Sequence, residues 1–327
     1  MTFLITALWL VGVAIVCVTV LSLVPSSRWW VRMWEFPRLH ILLASVAMIF
    51  AGMALPENQR FAFMSLMVLT ALYQGRKVFP FTPLAQADVA VCNADGRDTL
   101  TMLASNVLME NDNHAALTDL ISHSDPDVLL LMETNEVWNT ALSATLSRYP
   151  TVVRHVRDNH YGMIFATRLK TGAAETIFLS DDNTPTLLAD LQAPGGGWFH
   201  FIGLHPRPPV PGNTTQERDE QIKRAATLTR HSDLPVAIMG DFNDVAWSWS
   251  AMRFKHHGQY LDPRIGQGIL PSFDANHRIL RFPIDQFYLT EGIDLVSFRR
   301  GPRIGSDHFP MLAVIAVSQN AGRRKSG

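Results

Sequence analysis

Six apolar runs in this sequence end at, contain or begin with residues that can hold a proton, a metal ion or a phosphate oxygen. Asn106 follows Thr99–Ser105, Glu133 follows Asp127–Met132, and His205 follows Phe199–Leu204. Asp241 and Asn243 follow Val236–Met239, within Gly240-Asp241-Phe242-Asn243. Asp285 lies inside Pro283-Ile284-Asp285-Gln286-Phe287. Asp307 and His308 open a last run, in Gly305-Ser306-Asp307-His308-Phe309-Pro310. Taken singly, each has an ordinary explanation, since a carboxylate after a strand commonly caps a turn. A hydrophobic core, however, does not call for such residues at or beside six runs, and strands are rigid enough to bring them to one sheet edge. Carboxylates are the hard oxygen ligands that magnesium takes while it keeps several waters. A histidine beside a carboxylate titrates near neutrality and can move a proton. The chain has two cysteines, Cys17 and Cys92, which excludes a disulfide scaffold and a Cys-rich zinc module.

The elements that must position these groups are short. Strands are predicted at Thr99–Ser105, Val128–Met132, Thr151–Val156, Gly162–Thr167, Thr186–Leu191, Trp198–Leu204, Val236–Met239, Ile284–Leu289 and Met311–Val317, each bounded by turn formers. Helical patterning is confined to Asn113–Ser122, which stops before Asp125-Pro126, and Thr215–His231. Many strands and few helices predict an α+β fold of two packed sheets with helices on their outer faces.

Asn106, Glu133, His205, Gly-Asp-Phe-Asn at 240–243, Ile-Asp at 284–285 and Ser-Asp-His-x-Pro at 306–310, in that order, resemble the endonuclease/exonuclease/phosphatase superfamily with its DNase-I-like fold. The resemblance covers about residues 99–317. It implies a four-layer α/β/β/α sandwich and metal-dependent hydrolysis of a phosphoester, with Mg2+ as the cation and Mn2+ as the alternative. Such a reaction needs charge neutralisation, an activated water and a stabilised leaving oxygen.

Glu133 matches the family's metal glutamate, with Asp307 as a second candidate ligand and Asn106 supporting the metal or a phosphate oxygen. His308 is the candidate general base or phosphate contact, and Asp285 matches the aspartate that orients it. Asp241 would position the nucleophile or serve the leaving oxygen. Asn243 would donate to the phosphate, and His205 to the oxyanion. Tyr161 and His160 would face the phosphate. Two positions depart from the pattern: Met132 stands where nuclease branches carry Gln, and Gln286 where many relatives carry His. The loop Pro206–Asn213, with four prolines, is unusually stiff. These departures weaken any reading of DNA-repair specificity.

The N-terminal quarter has a different composition. Residues 1–79 hold eight charged residues, six basic and two acidic, and the rest of the chain carries a net −5. That balance excludes a broadly basic nucleic-acid-coating protein. Arg218, Lys223 and Arg224 are the one local basic group on a predicted helix. Phe3–Val24 is 22 residues without a charge, enough to span a bilayer. It is longer than a signal-peptide core, with no evident cleavage site. Leu39–Pro56 is a second uncharged run, and Phe61–Gly75, at 15 residues, is marginal for a third.

Ser26–Arg38 mixes Arg28, Arg32 and Arg38 with Trp29, Trp30 and Trp34, a composition that suits a membrane interface. Two to three spans (about 3–24, 39–56 and 61–75) are expected in residues 1–79. A linker at 80–98, a catalytic domain at 99–318 and a disordered tail at 319–327 are expected to follow. With three spans, the excess of basic residues on the domain side predicts a multi-pass protein of a bacterial-type inner membrane whose catalytic part faces the cytoplasm. The expected function is a membrane-anchored phosphoesterase acting on nucleic acid or on a lipid or small phosphoester. The alternative is an inactive binding module on the same fold. No protein partner is predicted.

Overall fold

The computed structural model describes residues 2–318, apart from 182 and 231. The predicted disordered tail and the His231 end of the second predicted helix lie outside the described residues. The C-terminal part holds eleven strands among the described residues: β1 (Thr99–Asn106), β2 (Val128–Met132), β3 (Thr151–His155), β4 (Met163–Thr167), β5 (Lys170–Phe178), β6 (Pro185–Gln192), β7 (Trp198–Leu204), β8 (Val236–Asp241), β9 (Asp285–Leu289), β10 (Ile293–Arg300) and β11 (Met311–Val317). They form a six-stranded sheet in the order β10-β11-β1-β2-β4-β3 and a five-stranded sheet in the order β5-β6-β7-β8-β9.

Strand alternation explains the layers. Met102, Ala104, Leu130, Met132, Phe201, Met239 and Phe287 meet between the sheets. Leu103, Leu129 and Leu131 point outward under Leu117 and Ile121 of α5 (His114–Ser124) and Trp138 of α6 (Glu136–Ala141), which α7 (Ser143–Leu146) follows. On the far side, Ile202, Ile238 and Tyr288 pack under Ile222 of α8 (Gln216–Ala225) and Phe254 of α9 (Trp249–Gly258). Strands buried on both faces read as continuous apolar runs, as these do. The result is the four-layer α/β/β/α sandwich of the DNase-I-like fold.

Each sheet has one parallel pair, β1 with β2 and β7 with β8, bridged by α5 and α8 respectively. All four of these strands end at the same edge of the sandwich. β9 is antiparallel to β8 and β11 to β1, so both begin at that edge. Asn106, His205, Asp241 and Asp285 each lie an even number of positions from an inter-sheet core residue, so they continue the inward-facing row where the sheets end. Two glycines make this geometry fit. Gly240 has φ 149°, and a Cβ there would lie 1.9 Å from the Leu204 carbonyl oxygen. A Cβ on Gly203 would sit 2.7 Å from Leu130, so its absence lets the sheets close.

The N-terminal residues form α1 (Thr2–Leu21), a short α2 (Trp29–Arg32), α3 (Arg38–Ala51) and α4 (Glu57–Val78). α1, α3 and α4 pack together around Phe63, Met67 and Leu55. Among the described residues, only α1 is by itself long and apolar enough to cross a membrane. The segment Trp29–Glu35 with Arg38–Ala54 passes that test only as one span bent by 67°. By length and composition the described helices thus allow one span, or two if the bent pair is a single span. The third run belongs to α4, whose ends carry Glu57, Arg60, Arg76 and Lys77 and whose buried face includes Thr70 and Gln74.

Segment 80–98, expected as a linker, is tied to the sandwich. Phe81 and Val89 are buried, Asp88 pairs with Lys255 at 2.7 Å, and Val91 bridges Leu295. The helical region is also joined by buried charge. Arg32 contacts Glu35 at 3.0 Å, Ser250 at 2.9 Å and Asp244 at 3.7 Å. The Trp247 indole donates to the Glu35 carbonyl at 2.7 Å, and the Trp249 N–H donates to its carboxylate at 3.1 Å.

Candidate metal and phosphate site

The two halves of the sandwich meet at Asn106. Its Nδ2 donates to Glu133 at 2.7 Å and to Asp241 at 3.1 Å, and so bridges a carboxylate from each sheet. Its Oδ1 accepts from the Leu108 N–H at 3.1 Å. Asn106 thereby holds Glu133 and Asp241 in place, and its Oδ1, with one N–H accepted, keeps a second lone pair. Glu133 leaves β2 with φ 61°, and Leu108, His160 and Asn243 also have positive φ. Such non-glycine conformations cost free energy and gather at functional sites.

His205 Nε2 lies 3.9 Å from Glu133 and 3.8 Å from Asp241, while its buried Nδ1 has no partner among the described residues. His308 Nε2 is 3.6 Å from Asp241, and its Nδ1 lies 2.7 Å from Asp285. His160 reaches Glu133 at 3.1 Å and Glu110 at 3.2 Å. The Tyr161 ring lies tilted by 41° against the His205 ring, centroids 5.8 Å apart, with the Arg207 guanidinium 4.8 Å over the Tyr161 ring. Asn243 donates its backbone N–H to Asp241 at 2.8 Å and its side-chain amide to the Pro206 carbonyl at 2.9 Å. Its expected phosphate contact therefore has to come from the second amide hydrogen.

Burial divides the protons unevenly. Burial works against a charged His308, but Asp285 and Asp241 overcome it and push its pKa up to about 10. Burial pushes Asp241 up to about 7, against the pull of His308 and with the help of Asp285. It pushes His205 down to about 4, despite the attraction of Glu133. Burial also opposes ionisation of Glu133, but His205 and the hydrogen bonds from Asn106 and His160 hold it below the usual carboxylate value. Because His205 is neutral at pH 7, those hydrogen bonds carry the effect there. Burial raises Asp307 against the pull of His308.

The profile of the Endonuclease/Exonuclease/phosphatase family matches residues 103–308. The chain belongs to that family. Solved structures with the same fold include D. rerio TDP2, humanized by 14 mutations, at 16% identity and TM-score 0.56 over 67% of this chain and 100% of that one. The human Nocturnin catalytic domain with a bound sulfate anion aligns at 15% identity and TM-score 0.55, over 68% of this chain and 96% of that one. An endonuclease/exonuclease/phosphatase from Beutenbergia cavernae aligns at 15% identity and TM-score 0.54, over 68% and 72% of the two chains. A stretch of 95 residues is 33% identical to the stress-activated map kinase-interacting protein 1 of Drosophila melanogaster, and the chain spans only 14% of that protein's length.

The two departures from the family pattern have structural roles. Met132 Sδ accepts the Asp241 N–H at 3.2 Å. Gln286 donates to the Asp244 carbonyl at 2.6 Å and accepts from Arg264 at 3.1 Å. Sequence reasoning missed Ser272 and gave Ser306, a member of the Ser-Asp-His motif, no role of its own. Ser272 Oγ accepts from the Asp285 N–H at 3.1 Å. Ser306 Oγ donates to the Asn106 carbonyl at 2.9 Å and accepts from the His308 N–H at 3.0 Å. Small hydroxyl residues in turns carry no sequence signal that separates them from ordinary turn formers. Arg207 was likewise unmarked inside its proline-rich loop. The predicted basic group on α8 does not form a patch: Arg218 is buried against Asp244 at 3.3 Å, and Lys223 and Arg224 both pair with Glu220.

The donor set fits a divalent cation at one place. Glu133 is anionic and only partly buried, and Asp307 lies within its electrostatic reach. Oxygen donors of that kind suit a hard ion that keeps water. Asp241, Asp285 and His308 also present ligand atoms within 4.8 Å of one another, but His308 and Asp285 are already bonded to each other.

Proposed function

We infer that the chain is a membrane-anchored, divalent-metal-dependent phosphoesterase. The observation that carries this reading is the Asn106 amide joining Glu133 and Asp241 from opposite sheets, with the His308–Asp285 pair 3.6 Å from Asp241. Glu133 would hold Mg2+ or Mn2+, with Asp307 beside it. When bound, the cation supplies positive charge to the phosphate and the leaving oxygen. Asp241, with a pKa near neutrality, takes the proton of the attacking water. His308 keeps its own proton, so its part is donation to a phosphate oxygen, with Asp285 fixing the ring. Neutral His205 presents an N–H from Nε2 to the developing oxyanion, beside Tyr161. α1 anchors the chain in a bilayer, and Arg28 and Arg32, which follow it, favour the cytoplasmic face for the sandwich. The phosphoester belongs to a nucleic acid, a lipid or a small molecule. The test is hydrolysis of bis-p-nitrophenyl phosphate by the full chain, with and without magnesium. Metal-dependent turnover that His308→Ala abolishes supports the reading. Absence of metal-dependent turnover means an inactive binding module.

A further inference from the structure

Residues 276–280 form a run of exposed residues beside the catalytic edge. At its tip Ile279 is 78% exposed and Leu280 51%, with Arg278 and Arg281 on either side. Two adjacent large aliphatic side chains left in water need a reason. The base of the loop is part of the site wall. Phe273 and Phe282 bridge across it, Phe273 also bridges His308, and the Asp307 carbonyl accepts from the Ala275 N–H at 2.6 Å. Three residues beyond Phe282 the chain reaches Asp285.

The tip is tied to the anchor. His40 of α3 lies with Nε2 3.0 Å from the Ile279 carbonyl oxygen, and the Phe282 ring packs against Phe36 at 5.6 Å and His40 at 5.9 Å. Segment 29–40 thus connects this loop to α9, where Arg32 lies over Trp249. Trp30, Met33, Trp249 and Met252 along that path are exposed as well. Exposed indoles, aliphatic tips and flanking arginines, continuous with the helices, are the chemistry that settles into an anionic lipid interface.

We propose that loop 276–280 docks into the bilayer surface and sets the catalytic edge against it, so that the phosphoester hydrolysed is one carried in the membrane by a lipid. The proposal rests on the anchored-phosphoesterase reading above. The bilayer is favoured over a protein partner because the loop hangs from the base of α3, which packs against the anchor helix, and because cations flank its apolar tip.

The test uses the full chain reconstituted in phosphatidylcholine–phosphatidylglycerol vesicles. Cys17 and Cys92 are replaced by serine, and an environment-sensitive fluorophore is attached at Ile279→Cys or, as a control on the edge strand, at Glu175→Cys. Blue-shifted emission quenched by doxyl-labelled lipids at 279 and not at 175 is the expected result. In parallel, the Ile279→Asp/Leu280→Asp double variant should lose about tenfold of its turnover on p-nitrophenyl hexadecyl phosphate held in the vesicles. It should keep its turnover on soluble bis-p-nitrophenyl phosphate. Co-flotation with an unquenched position 279, or emission that shifts without lipid quenching and so reports protein contact, overturns the docking. Equal loss on both substrates overturns the assignment of a lipid-borne phosphoester. Failure to co-float, or no metal-dependent turnover on the soluble ester by the parent chain, overturns the underlying reading instead.

Discussion

Asp241 and His308 face each other across 3.6 Å and hold protons in opposite senses. Two carboxylates beside His308 favour its protonated form, which on the function proposed above makes it a donor to the phosphate. Burial raises Asp241 to about 7, which on the same proposal makes it the proton acceptor. Asp241→Asn keeps the size and, with its amide oxygen toward Asn106, that contact; it gives up the carboxylate that takes the proton and the acceptor for the Asn243 N–H. We expect kcat to fall about 10²–10⁴-fold with little change in the magnesium concentration for half-maximal rate, checked by steady-state kinetics across a metal titration. Glu133→Ala should behave in the contrary way. The magnesium requirement should rise by about 10–100-fold, with part of the rate regained at high metal. If Glu133→Ala left the metal dependence unchanged, the cation would have to sit elsewhere, with Asp241, Asp285 and His308 as the remaining cluster.

Strand ends rather than helices carry the candidate site, which is why so much of it is legible in sequence. A strand buried on both faces reads as an apolar run, and the first polar residue after it marks the sheet edge. That logic found β1, β2, β7, β8 and β11 with most of their boundaries, and it placed Asn106, Glu133, His205 and Asp241 at one edge. It missed β5, whose outer-edge position leaves Lys170 and Glu175 exposed, and β10, where a register shift between Leu295 and Ser297 breaks the alternation. It also extended the second helix past Ala225, where α8 ends. The Ser272 and Ser306 tethers stayed hidden because a hydroxyl bonded to a distant backbone leaves no periodic trace. Gly240 shows how tightly an element holds the chemistry. A methyl group there meets the Leu204 carbonyl, so β8 must move away from β7 and carry Asp241 with it. Gly240→Ala should cost about 1–3 kcal/mol of stability and lower kcat while the sheets still form. Thermal unfolding by circular dichroism, alongside kinetics, checks both effects.

Composition divides the molecule near residue 79, but its packing does not respect that division. Phe36 packs with the cluster of Phe81, Val245, Trp247 and Ile284, which lies behind the loops leading from Asp241 and into Asp285. Glu35 holds Trp247 and Trp249 through its carbonyl and carboxylate, and Arg32 shares Asp244 with Arg218. Arg218 in turn donates to the Asn243 carbonyl at 3.0 Å, so charge from the helical region reaches the site loop in two steps. A chain of residues 80–327, cut at the compositional boundary, loses Arg32, Glu35 and Phe36 together and leaves Asp244 with Arg218 as its remaining ion-pair partner among the described residues. Removing Arg32, Glu35 and Phe36 together from a packed junction costs about 3–5 kcal/mol, on the scale of a large-to-small core substitution. At about 2–4 °C per kcal/mol for a domain of this size, Tm should drop by roughly ten degrees relative to the full chain in the same detergent. The loss should be larger in activity than in secondary structure, because the segment released is the one bearing Asp241 and Asn243. Identical Tm and kcat for the two chains would mean that the helices serve only as a tether, and that the buried ions linking them to the sandwich add nothing to the site.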